Sequence, residues 1–217
     1  MFDLAAFLEA FLQALQQTFH GRVWFAGLQG SRARGEETAG SDVDLVVILD
    51  VLHPEDVAAY DKLLDRFAAR SMLCGFLSGK AELFSWDRAE LFQFCCDTKP
   101  LLGSLDAVLA LVKREDVQRA VKTGLCTVYH GVVHNLLYEK NEEVLKALYK
   151  SAVFTVQAIC FLETGRYVHR HTQLLQAVGA PEQKIVRTAL ALRSGTPADF
   201  FGMAQDLLLW AQSRLTD

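Results

Sequence analysis

Asp42 and Asp44 stand two residues apart in the run Ser41-Asp42-Val43-Asp44-Leu45-Val46-Val47-Ile48-Leu49, and no other feature constrains the fold as much. The run is rich in β-branched residues and reads as a strand. Alternate side chains on a strand face the same way, so the two carboxylates project together, with Cα atoms roughly 6–7 Å apart. Val43, Leu45 and Val47 then point the other way and require a core. Two aligned carboxylates repel unless something positive lies between them, and a hard dication with oxygen ligands is the usual partner. Magnesium suits such a place because it keeps open positions that phosphate oxygens complete.

A second feature lies just upstream. The short apolar run Val23-Trp24-Phe25-Ala26-Gly27-Leu28 reads as a strand, and Gln29-Gly30-Ser31-Arg32-Ala33-Arg34-Gly35 follows it as a glycine-punctuated turn. Gly30 lets the backbone come close to a phosphate, and Ser31 offers an N–H and a hydroxyl. A helix starting after Ser31 would favour an anion at its N-terminus, and Arg32 and Arg34 are placed to give charge-assisted bonds to phosphate. A lone Gly-Ser turn is usually only a turn, and a lone Asp-x-Asp is usually a solvated pair. The two joined at this spacing, with strands on both sides, form a far more specific signal.

The rest of the chain divides in character. An amphipathic helix over roughly 3–19 opens it, ended by His20-Gly21; Asp3, Glu9 and the lack of a basic start argue against a signal peptide. Pro54 to Arg70 has helical periodicity, Ser71 to Ser78 reads as a third strand, and a short strand near Phe92–Cys96 is one reading of an ambiguous stretch. From about Asp106 helical patterns dominate, over roughly 106–111, 115–139, 142–163, 171–178, 181–193 and 197–214. Thr196-Pro197 reads as a cap followed by the first helical residue of the last of these. The expected fold is an α/β (α+β) domain with a small mixed sheet over 1–104, then an all-α helical bundle over 105–217.

Charge and cysteine usage exclude several partners. The net charge is -4, with nine Lys/Arg against fifteen Asp/Glu in residues 1–105 and thirteen against eleven in 106–217. No basic footprint for nucleic acid is present, so a nucleic-acid partner is not expected. The apolar runs are short for a bilayer, and no membrane partner is expected. The five cysteines form no CxxC pair, which fits reduced thiols in a cytoplasmic protein.

Gly30-Ser31-Arg32-Ala33-Arg34-Gly35, followed by Ser41-Asp42-Val43-Asp44-Leu45, resembles the signature of the DNA polymerase beta-like nucleotidyltransferase superfamily. The resemblance covers about 20–104, and the layout is similar to bacterial enzymes in which such a domain precedes a helical bundle, the aminoglycoside nucleotidyltransferases and the HEPN-type minimal nucleotidyltransferases. It implies that Gly30 and Ser31 bind a nucleoside triphosphate, with Arg34 beside them, and that Asp42 and Asp44 are catalytic ligands of Mg2+. It implies transfer of a nucleoside monophosphate, AMP from ATP, to an acceptor hydroxyl on a small molecule such as an aminoglycoside-like compound. Two other readings stand beside it: a protein-modifying, AMP-adding antitoxin-type enzyme, and a degenerate protein that binds nucleotide without catalysis. Homodimers are common among proteins of this layout.

The chain departs from that pattern at one place. The family has a third carboxylate on the next strand, where this sequence reads Met72-Leu73-Cys74-Gly75-Phe76-Leu77-Ser78, and Cys74 stands where an acid is expected. Asp97, if residues 92–96 form an adjoining strand, and Glu82 are the candidate substitutes. Otherwise the base is absent, comes from the bundle, or belongs to the acceptor.

Other residues have blander readings. Lys150 is a candidate for the triphosphate, against a solvated stripe shared with Lys146. His130 and His134, four apart, read as helix histidines without a third metal ligand. Arg166 to His171 has the Arg-x4-His spacing of a ribonuclease motif but falls at a helix break after Gly165.

Overall fold

A computed structural model describes residues 2–38, 40–197 and 199–216. It has two compact units. The first comprises residues 1–87 and 97–111, the second residues 88–96 and 112–217.

In the first unit, helix α1 (Leu4–Phe19) is capped by Asp3, whose Oδ1 accepts from the Ala6 N–H at 3.0 Å. It ends where His20 turns into the left-handed region. Strand β1 (Val23–Gln29), the short helix α2 (Gly30–Arg34), strand β2 (Val43–Leu49), helix α3 (Pro54–Leu64), strand β3 (Leu73–Gly79) and helix α4 (Lys80–Ser85) follow. Helix α5 (Arg88–Asp97), whose residues 88–96 belong to the second unit, precedes strand β4 (Lys99–Leu102) and the single turn α6 (Asp106–Leu109) of the first. The sheet is mixed, in the order β3-β2-β1-β4; β2 and β3 run parallel, and β1 is antiparallel to both β2 and β4. As the alternation requires, Val43, Leu45, Val47 and Leu49 lie in a buried cluster with Phe7, Phe11, Leu15 and Phe19 of α1.

Two local expectations change. Residues 92–96 are helical, in α5, and the strand beside β1 is 99–102. The aromatic-rich Phe92–Cys96 run has strand composition, but Phe92 packs at 4.9 Å ring separation on Phe161 and shares a cluster with Val117 and Ala158 of the second unit. Tertiary packing overrides the weak local preference. Pro100 cannot donate to a ladder, which suits β4 to its edge position.

The end of β2 remote from Asp44 is held by charge. Arg22 donates to both oxygens of Asp56 at 2.9 and 2.7 Å, and the His53 N–H donates to Asp56 at 2.8 Å. These bonds, the Arg22 guanidinium foremost, hold the Asp56 carboxyl down to about 2 from an ordinary 3.8. A depressed carboxylate stabilises the fold fully above its unfolded value, and that contribution is lost as pH falls toward the folded one. The stability gap between wild type and Asp56→Asn should therefore be constant above about pH 4 and shrink as pH falls toward about 2. Urea unfolding from pH 2 to 6 measures it; a gap that does not vary with pH would rule the linkage out.

The second unit is a helical bundle: α7 (Arg114–His134) with a π turn over Asn135–Glu139, α8 (Glu142–Thr164), α9 (His171–Ala177), α10 (Ala180–Arg193) and α11 (Phe200–Thr216). By length and composition α8 could cross a membrane, with mean hydropathy 1.3 over its most apolar window. More than half of that window is buried, and Leu145, Tyr149, Ala152, Val153 and Val156 form the bundle core. Gly124 lets α7 and α8 close up, since a Cβ there would lie 2.3 Å from Thr155 Oγ1. Helix α11 begins later than Thr196-Pro197 suggests. Asp199 caps it, accepting from the Gly202 N–H at 3.2 Å, whereas the Thr196 N–H bonds back to the Ala191 carbonyl; Ala198 lies outside the described residues.

Candidate active site

The two motifs meet where β1 ends and β2 begins. Gln29, the last residue of β1, is the register partner of Asp44. Gly30 follows with φ +71°, a conformation that L side chains rarely adopt, and a Cβ on it would lie 2.0 Å from Asp44 Oδ2. The glycine is thus required twice over, for the turn and for the space beside the carboxylate. Asp44 is half-buried on β2, whereas Asp42 is exposed in the loop just before the strand, which begins at Val43 rather than at the expected Ser41. Ser31, half-buried, follows Gly30 in the first turn of α2.

Both arginines of the turn are directed at the protein itself. Arg32 donates through Nε and Nη2 to the Ser41 carbonyl at 3.2 and 2.8 Å, and through Nε to the Asp42 carbonyl at 3.0 Å. It thereby pins the backbone that carries the first aspartate. Arg34 is 7% exposed; Nη1 donates to Asp97 Oδ2 at 2.8 Å, and Nε lies 3.5 Å from Glu36 Oε2. Gln29 Nε2 donates to Thr98 Oγ1 at 2.6 Å.

The other candidates divide by location. Asp97 is buried at the end of α5, beside the turn, and engaged by Arg34. Glu82 is not brought to Asp44. A Cβ on Gly79 would lie against its Oε2, and Gly79 is the partner of Leu49 at the far end of β2. Five strand residues, about 16 Å, separate that end from Asp44. On β3 the register partner of Asp44 is Cys74, which is exposed. Lys150 is exposed on α8, in the second unit. His134 Nδ1 lies 3.3 Å from Glu139. Gln29 and Thr98 carry no signal in the sequence, because a bond between residues 69 apart leaves no local pattern.

The family pattern of the nucleotidyltransferase domain matches residues 8–103, a span that takes in Gly30, Ser31, Asp42, Asp44 and the whole sheet. The chain carries a nucleotidyltransferase domain. The match supports nucleotidyl transfer as the general chemistry, and its span includes the turn and strand edge just described. Over its full length the chain is also similar to a solved structure, spectinomycin adenyltransferase AAD(9) from Enterococcus faecialis with ATP and spectinomycin. The likeness covers 99% of this chain and 100% of that one, with a TM-score of 0.64 and 12% sequence identity. At that identity the likeness is one of fold, and it extends through the bundle. No curated protein matches the chain.

Proposed function

We propose that this nucleotidyltransferase moves AMP from ATP to a hydroxyl of a small-molecule acceptor, with Asp42 and Asp44 as its magnesium ligands. The observation that carries the reading is the close approach of Gly30 to Asp44, where a Cβ would lie 2.0 Å from Oδ2. It sets the bare backbone of the glycine turn beside the Asp44 carboxylate, and two carboxylates would leave most of an octahedral shell to phosphate oxygens. When bound, the metal neutralises triphosphate charge and favours attack at the α-phosphorus. Gly30 and Ser31 present backbone N–H and hydroxyl donors to the phosphates. The acceptor oxygen forms its bond to the α-phosphorus, the bond to the bridging oxygen breaks, pyrophosphate leaves, and the hydroxyl proton is released to solvent. The excess of fifteen acids over nine bases in residues 1–105 suits a cationic acceptor of the aminoglycoside kind. The similar adenyltransferase was solved with ATP and spectinomycin, which supports the same substrate classes here.

The test reads binding at the site directly. Cys74 neighbours Asp44 and is exposed, Cys126 is exposed on α7, and burial pushes the Cys95 thiol up to about 12. A thiol reagent should label Cys74 and Cys126 and spare Cys95. Mg·ATP should slow labelling of Cys74 at least about tenfold, leave Cys126 unchanged, and stabilise the protein by about 2.7 kcal/mol at a hundredfold over Kd. Labelling of Cys74 indifferent to every nucleoside triphosphate would sink the reading.

A further inference from the structure

We infer that Asp97 and Thr98 form a clamp that positions the Gly30–Arg34 turn for the triphosphate, with Arg34 as its counterpart; this rests on the nucleotide site proposed above. The two residues are consecutive, and they grip the turn at both ends. Thr98 accepts from Gln29, the residue before Gly30, at 2.6 Å. Asp97 accepts from Arg34, the last residue of the turn, at 2.8 Å. The packing is close: a Cβ on Gly27, two residues before Gln29, would lie 2.6 Å from Thr98 Cγ2. The side chains of Arg34, Asp97 and Glu36 are 5%, 8% and 8% exposed, so the charge pairing acts with little solvent screening.

The arrangement assigns roles that residue types alone leave open. Arg34 directs its fork at Asp97 and Glu36, and acts through the turn it anchors rather than as a phosphate ligand. Asp97 is a positioning residue and not the general base, because its Oδ2 already accepts the guanidinium. A five-residue helix has too few internal bonds to hold its own shape. Two side-chain bonds to one dipeptide supply what it lacks, and Arg32 ties the same turn to the backbone of Ser41 and Asp42. Displacing the turn therefore separates the phosphate donors from the metal carboxylates.

The experiment measures the Kd of the full chain for Mg·ATP by calorimetry, well below the unfolding temperature. Asp97→Asn should weaken binding at least about tenfold, and Thr98→Val about threefold. The triple variant Arg34→Met/Glu36→Gln/Asp97→Leu removes all three buried charges, and should bind more tightly than Asp97→Asn. Asp56→Asn, at the remote end of β2, is the control: it lowers Tm and leaves Kd unchanged. A clamp is overturned if Asp97→Asn binds Mg·ATP as wild type does, the result expected of a base that acts only on the acceptor. It is also overturned if Asp56→Asn weakens binding as much, since the effect is then general destabilisation. If Asp97→Asn does not fold, the triple variant and Thr98→Val decide, and wild-type affinity in both overturns it. Wild-type protein that binds no Mg·ATP overturns the nucleotide site itself, a separate outcome.

Discussion

Asp44→Asn is expected to lower kcat/KM for nucleotidyl transfer by about 10³ or more while leaving the ligand-free Tm within about 2 °C of wild type. Asp44 and Asp42 are the two acids that the strand edge presents beside Gly30, and the neighbouring position on β3 is a cysteine. Removing one preorganised electrostatic group of this kind costs roughly 10²–10³ where others remain to share the load. Here fewer remain, so the loss is placed at the upper end. Stability behaves differently. Asp44 lies near Asp42, and neutralising one of two like charges relieves repulsion at the end of β2. Transfer kinetics and thermal unfolding on the same preparation check both halves. Activity within tenfold of wild type would remove Asp44 from the machinery. A large fall in Tm would make its role architectural.

The second large effect is on stability, and it arises from a glycine on β3. Gly75 has φ +145° and pairs with Leu45 of β2. A Cβ there would lie 1.8 Å from the Leu45 carbonyl oxygen and 2.7 Å from its carbonyl carbon and amide nitrogen. These atoms are backbone, so nothing flexible can move aside. Leu45 is fully buried in the α1-side cluster, which blocks the alternative of shifting β2. Gly75→Ala should therefore cost about 3 kcal/mol or more, lowering Tm of the first unit by roughly 12 °C or more. Because Cys74 and Asp44 are partners one residue away, transfer should fall with it. Gly179→Ala, at the N-cap of α10, serves as the comparison: its Cβ would meet nothing closer than 3.7 Å, and the change should cost about 1 kcal/mol or less. Equal stability for the two variants would show that the β2–β3 ladder tolerates what the geometry forbids.

Much of the site is legible in the sequence, because its essential parts are local. Asp44 lies on β2 beside Gly30 because the turn between the two strands is short, and Asp42 precedes it by two residues in the loop that leads into β2. The bundle helices are equally readable, since α7, α8 and α10 each carry a helical apolar stripe, and α8 ends at Gly165 and α10 just before Gly195. Where local signals compete, the reading fails. Phe92 to Cys96 has the composition of a strand, and only its contacts with Phe161, Val117 and Ala158 make it a helix.

The fate of the charged side chains is not legible in that way. Arg32 and Arg34 look like phosphate ligands by position, and Glu82 and Asp97 look equally eligible as acids. The structure turns both arginines onto the protein, holds Asp97 beside the turn, and carries Glu82 to the opposite end of the sheet. By itself the sequence determined the strand that bears Asp44, the glycine turn and the helical second half, all of which follow from periodicity and backbone preference over a few residues. Tertiary structure alone decided that Cys74 pairs with Asp44 and that Asp97 and Thr98 grip the turn. Strand register and long, flexible charged side chains are settled by partners dozens of residues away, to which no local pattern points.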